Sequence, residues 1–88
     1  MVTGKTSSGF CFEISEETLD DMRLVDALAE LEESPIAISK VIRLLLGETQ
    51  KKALYATLQT EDGRVPVDAM TAAVQEIFDA ADKNAKNA

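Results

Sequence analysis

The sequence predicts an α+β fold dominated by helices, in which an N-terminal β-hairpin precedes about four helices in one small bundle. Apolar residues alternate with polar ones near the start of the chain and then recur at three- and four-residue spacing. The length of 88 residues is that of one small domain. Hydrophobic residues make up 45% of the chain and include no Trp, which indicates an aliphatic core. We expect this single domain to span residues 1–81.

The first predicted element is a hairpin over residues 2–14. Phe10, Phe12 and Ile14 alternate with other side chains, which is the period of a strand that buries one face. Residues 7–9 consist of serine and glycine and predict the turn. Because a lone two-stranded hairpin is marginally stable in water, this one should lay its apolar face on the helices or join another sheet edge.

Two helices are predicted next, over about residues 16–32 and 35–46. Ser15 precedes two glutamates, which is typical of an N-cap with acidic residues in the first turn. Ser34 precedes a proline and predicts the second cap, and Gly47 predicts the end of the second helix. The apolar stripes of the two helices are Leu24, Val25, Leu28 and Leu31, followed by Ile38, Val41, Ile42 and Leu45.

The remaining chain predicts two more helices, over about residues 48–59 and 66–81, with a turn at 60–63 between them. Residues 82–88 offer nothing to bury and predict a frayed tail. The apolar stripe of the last helix is Met70, Val74, Ile77, Phe78 and Ala81.

The composition excludes several kinds of chemistry. The chain has no His and one cysteine, Cys11, so it cannot form a His-dependent triad, a disulfide framework or a structural zinc site. A calcium loop centred on Gly63 would place Ala69 where a carboxylate is required. Adjacent acids such as Glu32 and Glu33 point apart on a helix. We therefore expect a non-enzymatic protein with no catalytic, cofactor or metal site.

The charge is strongly asymmetric. The net charge is −7, residues 15–34 hold eight acids and one base, and residues 35–60 hold four bases and one acid. This balance repels phosphate backbones and favours a protein partner over nucleic acid. The sequence has no run of about 18 apolar residues, so we expect no membrane association and a soluble protein in a reducing compartment.

The order of features also suggests a family. A leucine-rich helix ends in Gly47 and Glu48, and a later turn reads Glu61-Asp62-Gly63-Arg64-Val65-Pro66. With the hairpin and the acidic first helix, these features resemble the tail assembly chaperones of long-tailed, siphovirus-like bacteriophages over about residues 8–80.

The resemblance implies a small chaperone that binds the long helical tape-measure protein and keeps it soluble while tail-tube subunits polymerise around it. The tail tube protein is then a possible second partner. The resemblance further implies a protein of the cytoplasm of an infected or prophage-carrying bacterial host, absent from the mature virion. Members of the family often have a longer form made by ribosomal frameshifting.

A chaperone of this kind needs an exposed apolar groove for a helix. From the apolar stripes, the predicted partner-binding residues are Leu24, Leu28, Val41, Leu45, Met70, Val74 and Phe78. The alternative is a structural or oligomerising phage subunit, such as a tail completion or head-tail joining protein, in which the hairpin adds to a neighbour's sheet. A helical regulator of a transcription protein is a weaker alternative, since no basic recognition helix is present.

Overall fold

The computed structural model describes residues 1–87, with side chains described as far as Ala81. It has the predicted mostly helical α+β class, with a two-stranded antiparallel hairpin at the N-terminus followed by helices. The predicted end of the last helix at residue 81 and the frayed tail after it are wrong as far as Asn87, because α4 continues to that residue; Ala88 lies outside the described residues. The elements are β1 (Val2–Lys5), β2 (Cys11–Ile14), α1 (Glu16–Leu19), α2 (Met22–Glu33), a 3-10 turn (Pro35–Ala37), α3 (Ile38–Leu58) and α4 (Val67–Asn87).

The hairpin turn is set by a glycine. The Thr6 amide donates to the Phe10 carbonyl at 2.8 Å, and the Gly9 amide donates back to the Thr6 carbonyl at 3.0 Å. Gly9 has a φ of 96°, which a residue with a Cβ adopts only with strain. The buried Thr6 hydroxyl oxygen accepts from the Phe10 amide at 3.2 Å, so this turn is held by side chain as well as backbone.

One face of the hairpin is apolar and lies on α3 and α4. The predicted inward residues Phe10, Phe12 and Ile14 are all buried, which confirms the period-two pattern. Gly4 pairs with Phe12 across the sheet, and the Phe12 ring covers the space that a side chain at Gly4 would need. The hairpin is therefore one wall of the domain core.

The predicted continuous helix over 16–32 is wrong near its start, where it breaks at residues 20–21. Ser15 does cap α1, since its hydroxyl oxygen accepts from the Thr18 amide at 3.1 Å. α1 then ends at Leu19. The Asp21 carboxylate accepts from the Arg23 amide at 2.8 Å, so Asp21 is a second N-cap, from which α2 begins. Val25, predicted on the buried stripe, is 48% exposed after this break.

The middle of α3 is interrupted at Gly47. This residue has φ 76° and ψ 172°, so α3 consists of two helical arms, 38–46 and 48–58. The predicted helix start at Pro35 is instead a 3-10 turn, and Ser34 makes no side-chain capping bond there. Because no side chain satisfies the first amides, the chain tightens into 3-10 geometry before α3 begins.

The core lies between the hairpin, α3 and the inner faces of α2 and α4. No helix in the described part of the chain is long and apolar enough to cross a bilayer. The buried hydrophobic residues are Val2, Phe10, Phe12, Ile14, Leu24, Ala27, Ile38, Val41, Ile42, Leu45, Leu46, Leu54, Met70, Ala73, Val74, Ile77 and Ala81.

Candidate functional site

A solvent-open groove of about 350 Å³ lies between α2 and α4. α2 packs mainly on α3 and the 3-10 turn, whereas α4 packs on β1 and α3, so the two helices leave a space between them. The volume is at the lower end for clefts that bind ligands. The groove is lined by Leu28, Leu31 and Glu32 from α2, Ile38 from α3, and Thr71, Val74, Gln75 and Phe78 from α4.

Helical spacing brings these side chains together. On α2, Leu31 and Glu32 follow Leu28 by three and four positions and therefore share its face. On α4, Val74 and Phe78 are likewise one turn apart. Both helices also bury a neighbouring face in the core, which fixes the orientation of the two walls.

The groove has an apolar floor and a polar rim. Val74 and Ile38 are buried, and the half-buried Leu28, Leu31 and Phe78 pack partly on the core. The rim residues Glu32, Thr71 and Gln75 are exposed. An apolar centre inside a polar border is the usual anatomy of a protein interface.

The structure divides the predicted partner-binding residues into two groups. Leu28, Val74 and Phe78 line the groove together. The other four, Leu24, Val41, Leu45 and Met70, are buried in the core of the chain itself and do not reach the groove.

The predicted set omitted the groove residues Leu31 and Ile38 and the rim. Leu31 and Ile38 were visible in the sequence as members of the predicted apolar stripes. Spacing shows that these polar residues share a face with the apolar ones, because Glu32 follows Leu28 by one turn and Gln75 precedes Phe78 by three positions. It does not show that the two faces meet at a groove.

Both walls of the groove are acidic. α2 holds four carboxylates and one basic residue, and residues 67–81 of α4 hold three carboxylates and no basic residue. Glu30 is 3.3 Å from the Lys40 ammonium, but Glu32 forms no ion pair among the described residues. Glu32 is thus the charged residue among those lining the groove, and it faces solvent.

At the N-terminus of α2, hydrogen bonds from the Arg23 guanidinium and the Arg23 amide hold the pKa of Asp21 below its ordinary value. In the turn after α3, the Thr60 hydroxyl and then Arg64 do the same for the pKa of Asp62. Both carboxylates therefore stay charged to a lower pH than an ordinary aspartate does. Neither lines the groove.

The edge of the hairpin offers a second surface for a partner, and here the protein covers its own backbone. The Glu13 amide donates to the Gln50 Oε1 at 2.7 Å, and the Gln50 Nε2 donates to the Glu13 carbonyl at 2.8 Å. The Gln50 Nε2 also donates to the Leu46 carbonyl at 3.0 Å, which anchors the side chain to its own helix. Gln50 therefore occupies the position on β2 that an added strand would take.

The exposed face of the hairpin carries a lysine beside a cysteine. Lys5 and Cys11 are cross-strand partners, and the Cys11 thiol is free and exposed. Within the part of the chain that the structure describes, no group of three or more carboxylate or thiol side chains is placed to hold a metal ion.

Comparisons with protein-family models, curated proteins and solved structures find no match for this chain. Function is therefore proposed from the shape and charge of the groove, together with the sequence features described above.

Proposed function

We propose that this chain is a phage tail assembly chaperone with no enzymatic activity, which holds a helical segment of a tape-measure protein in the groove between α2 and α4. The observation that supports the proposal is the open apolar floor formed by Leu28, Leu31 and Phe78. An apolar groove between two helices is the surface on which an amphipathic helix lays its apolar face. The tape-measure protein is the partner that the sequence resemblance implies.

The net charge supports the same function. A chaperone that holds a long apolar helix must keep the loaded complex from associating with other loaded complexes. The charge of −7 on 88 residues provides mutual repulsion between them.

The Gln50 contact weighs against the alternative of a subunit that assembles by strand addition at the β2 edge. Such a subunit needs unpaired backbone groups on an edge strand. On β2, the Glu13 amide and carbonyl are already bonded to the Gln50 side chain. A partner strand would have to displace both hydrogen bonds before pairing there.

The direct experiment is to co-express the chain with the tape-measure protein encoded in its own genomic neighbourhood. We expect that protein to stay in the soluble fraction and to copurify only when the chain is present. If it precipitates equally with and without the folded chain, the chaperone proposal fails. Light scattering on the chain alone would then test the oligomerising alternative.

A matched pair of variants locates the binding surface. Thr71 lies on the groove rim, and its neighbour Ala72 is exposed but does not line the groove. Thr71→Trp should fill the groove and abolish copurification, whereas Ala72→Trp should leave it unchanged. Both changes add to an exposed position and remove no core packing, so circular dichroism and thermal unfolding should match those of the original chain.

A further inference from the structure

Building on the proposed function, we propose that the groove selects amphipathic helices that carry basic residues beside their apolar face. The occupant is thus a partner helix with leucine-type residues on one side and lysine or arginine on its flanks. The inference concerns the charge of the helices that bind, whereas the proposed function concerns the groove and the protein that supplies the helix.

The first observation is the placement of Glu32. It lines the groove beside Leu28 and Leu31, it is exposed, and none of the ion pairs of the described residues includes it. A helix seated on the apolar floor would bring its flank next to this carboxylate. A basic side chain there gains an ion pair, and an acidic one meets repulsion.

The second observation is the negative sign of the charged residues around the groove. Glu33 is exposed beside Glu32, and Asp79 is exposed one turn beyond the rim residue Gln75 on the opposite wall. The nearest helix with an excess of basic residues is α3, and its side chains in the groove are limited to the apolar Ile38. The field over the groove is therefore negative from both walls and attracts a cationic helix.

The size of the effect follows from exposure. Ion pairs in water contribute about 0.2–1 kcal/mol each, so one pair to Glu32 corresponds to a preference of roughly 1.5- to 5-fold. The apolar floor therefore provides most of the affinity. The carboxylates determine which helix binds and how fast it arrives.

The test uses three fluorescein-labelled peptides of about 18 residues, or five helical turns. All three have the same leucines at helical spacing, and their flanking positions are lysine, glutamine or glutamate. Fluorescence anisotropy with the full chain should rank the peptides in that order of affinity. Added salt should weaken the lysine peptide and leave the glutamine peptide nearly unchanged.

A charge-matched pair of variants assigns the preference to the groove. Glu32→Gln should reduce the advantage of the lysine peptide over the glutamine peptide by roughly 1.5- to 5-fold. Glu61→Gln removes an exposed carboxylate from the turn after α3, outside the groove, and should leave the advantage intact.

The outcomes separate the two proposals. If all three peptides bind equally and Thr71→Trp blocks them all, the charge preference is overturned and the groove function stands. If no peptide binds, or if Thr71→Trp binds as well as Ala72→Trp, the groove itself is not the site. If the lysine peptide fails to bind while Thr71→Trp abolishes a self-association that light scattering detects in the original chain, the occupant is a second copy and the present inference is overturned.

Discussion

The hairpin side of this small domain covers its apolar ring and part of its backbone, whereas the groove side leaves apolar side chains in contact with solvent. On the hairpin side, Phe12 is 2% exposed, and the Glu13 backbone is bonded to Gln50. On the groove side, Leu28 and Phe78 are only partly buried. The hairpin follows an apolar period of two, whereas the groove helices follow the helical spacing of three and four residues.

The difference shows where a partner has something to gain. Strand addition at β2 would break hydrogen bonds that the chain already makes, so its net gain is small. Seating a helix in the groove would bury apolar surface that water now contacts, and each Å² buried contributes about 25 cal/mol of favourable free energy. The groove therefore offers a helix more surface to bury than the β2 edge offers a strand at Glu13.

The largest expected effect comes from removing the same side chain on each side. Phe12→Ala should lower the free energy of unfolding by about 3–5 kcal/mol, because it leaves a cavity in a packed core. Phe78→Ala removes a half-buried ring and should cost about 1–2 kcal/mol, less than a full cavity. Urea unfolding followed by circular dichroism measures both. Equal losses would mean that the two sides are equally packed.

A smaller effect should come from adding one methyl group on the hairpin side. In Gly4→Ala, the new Cβ would lie 2.7 Å from the Phe12 Cζ, so the ring or the strand must shift. We expect a loss of about 1–3 kcal/mol in unfolding free energy. Gly4 does not have a positive φ, so this loss would come from the contact with the Phe12 ring and not from backbone strain. A wild-type unfolding midpoint for Gly4→Ala would show that the ring packs loosely.

The next effect compares two glutamines. Gln50→Ala removes the side chain that covers β2 and should cost about 1 kcal/mol, with faster hydrogen exchange at the Glu13 amide. Gln75→Ala on the groove rim should change stability by less than about 0.5 kcal/mol. Sedimentation should show weak self-association of the Gln50→Ala variant, through the uncovered β2 edge, and none of the Gln75→Ala variant. If the Glu13 amide exchanges at the original rate, Gln50 does not protect the edge.

The smallest effect concerns acid. The pKa of Asp21 is lowered by Arg23, so the charged cap stabilises the fold above the ordinary value of 3.8 and this contribution is lost as the pH falls through the lower folded value. Acid should therefore loosen the start of α2, one wall of the groove, while the hairpin stays ordered. Asp21→Asn keeps a capping side chain and should flatten this part of the pH dependence. Residue-specific amide exchange at low pH measures both; simultaneous loosening of the hairpin would contradict the assignment.

The sequence predicts the hairpin well because its evidence is local. Phe10, Phe12 and Ile14 alternate in a short run beside a glycine turn, and one buried face follows from that period. The helical character of the rest is also local. The break before α2 was missed, because Asp20 and Asp21 fit equally well on the solvent face of a longer helix or at a cap.

The groove is less predictable because helical periodicity identifies a face and not its neighbour. Leu24 and Leu28 are one turn apart on α2, and both were predicted to bind a partner. Leu24 is buried in the core, whereas Leu28 lies where α2 and α4 leave a space between them. That separation depends on how each helix packs on α3 and the hairpin, which no local pattern encodes.

The most direct test of the account is a backbone amide NMR titration of the isotope-labelled chain with a helical fragment of the tape-measure protein. Binding in the groove should shift the signals of Leu28, Leu31 and Gln75 and leave those of Cys11 and Glu13 in place. Shifts concentrated at Cys11 and Glu13, with the groove signals unchanged, would show that the partner binds the hairpin edge and would contradict the account.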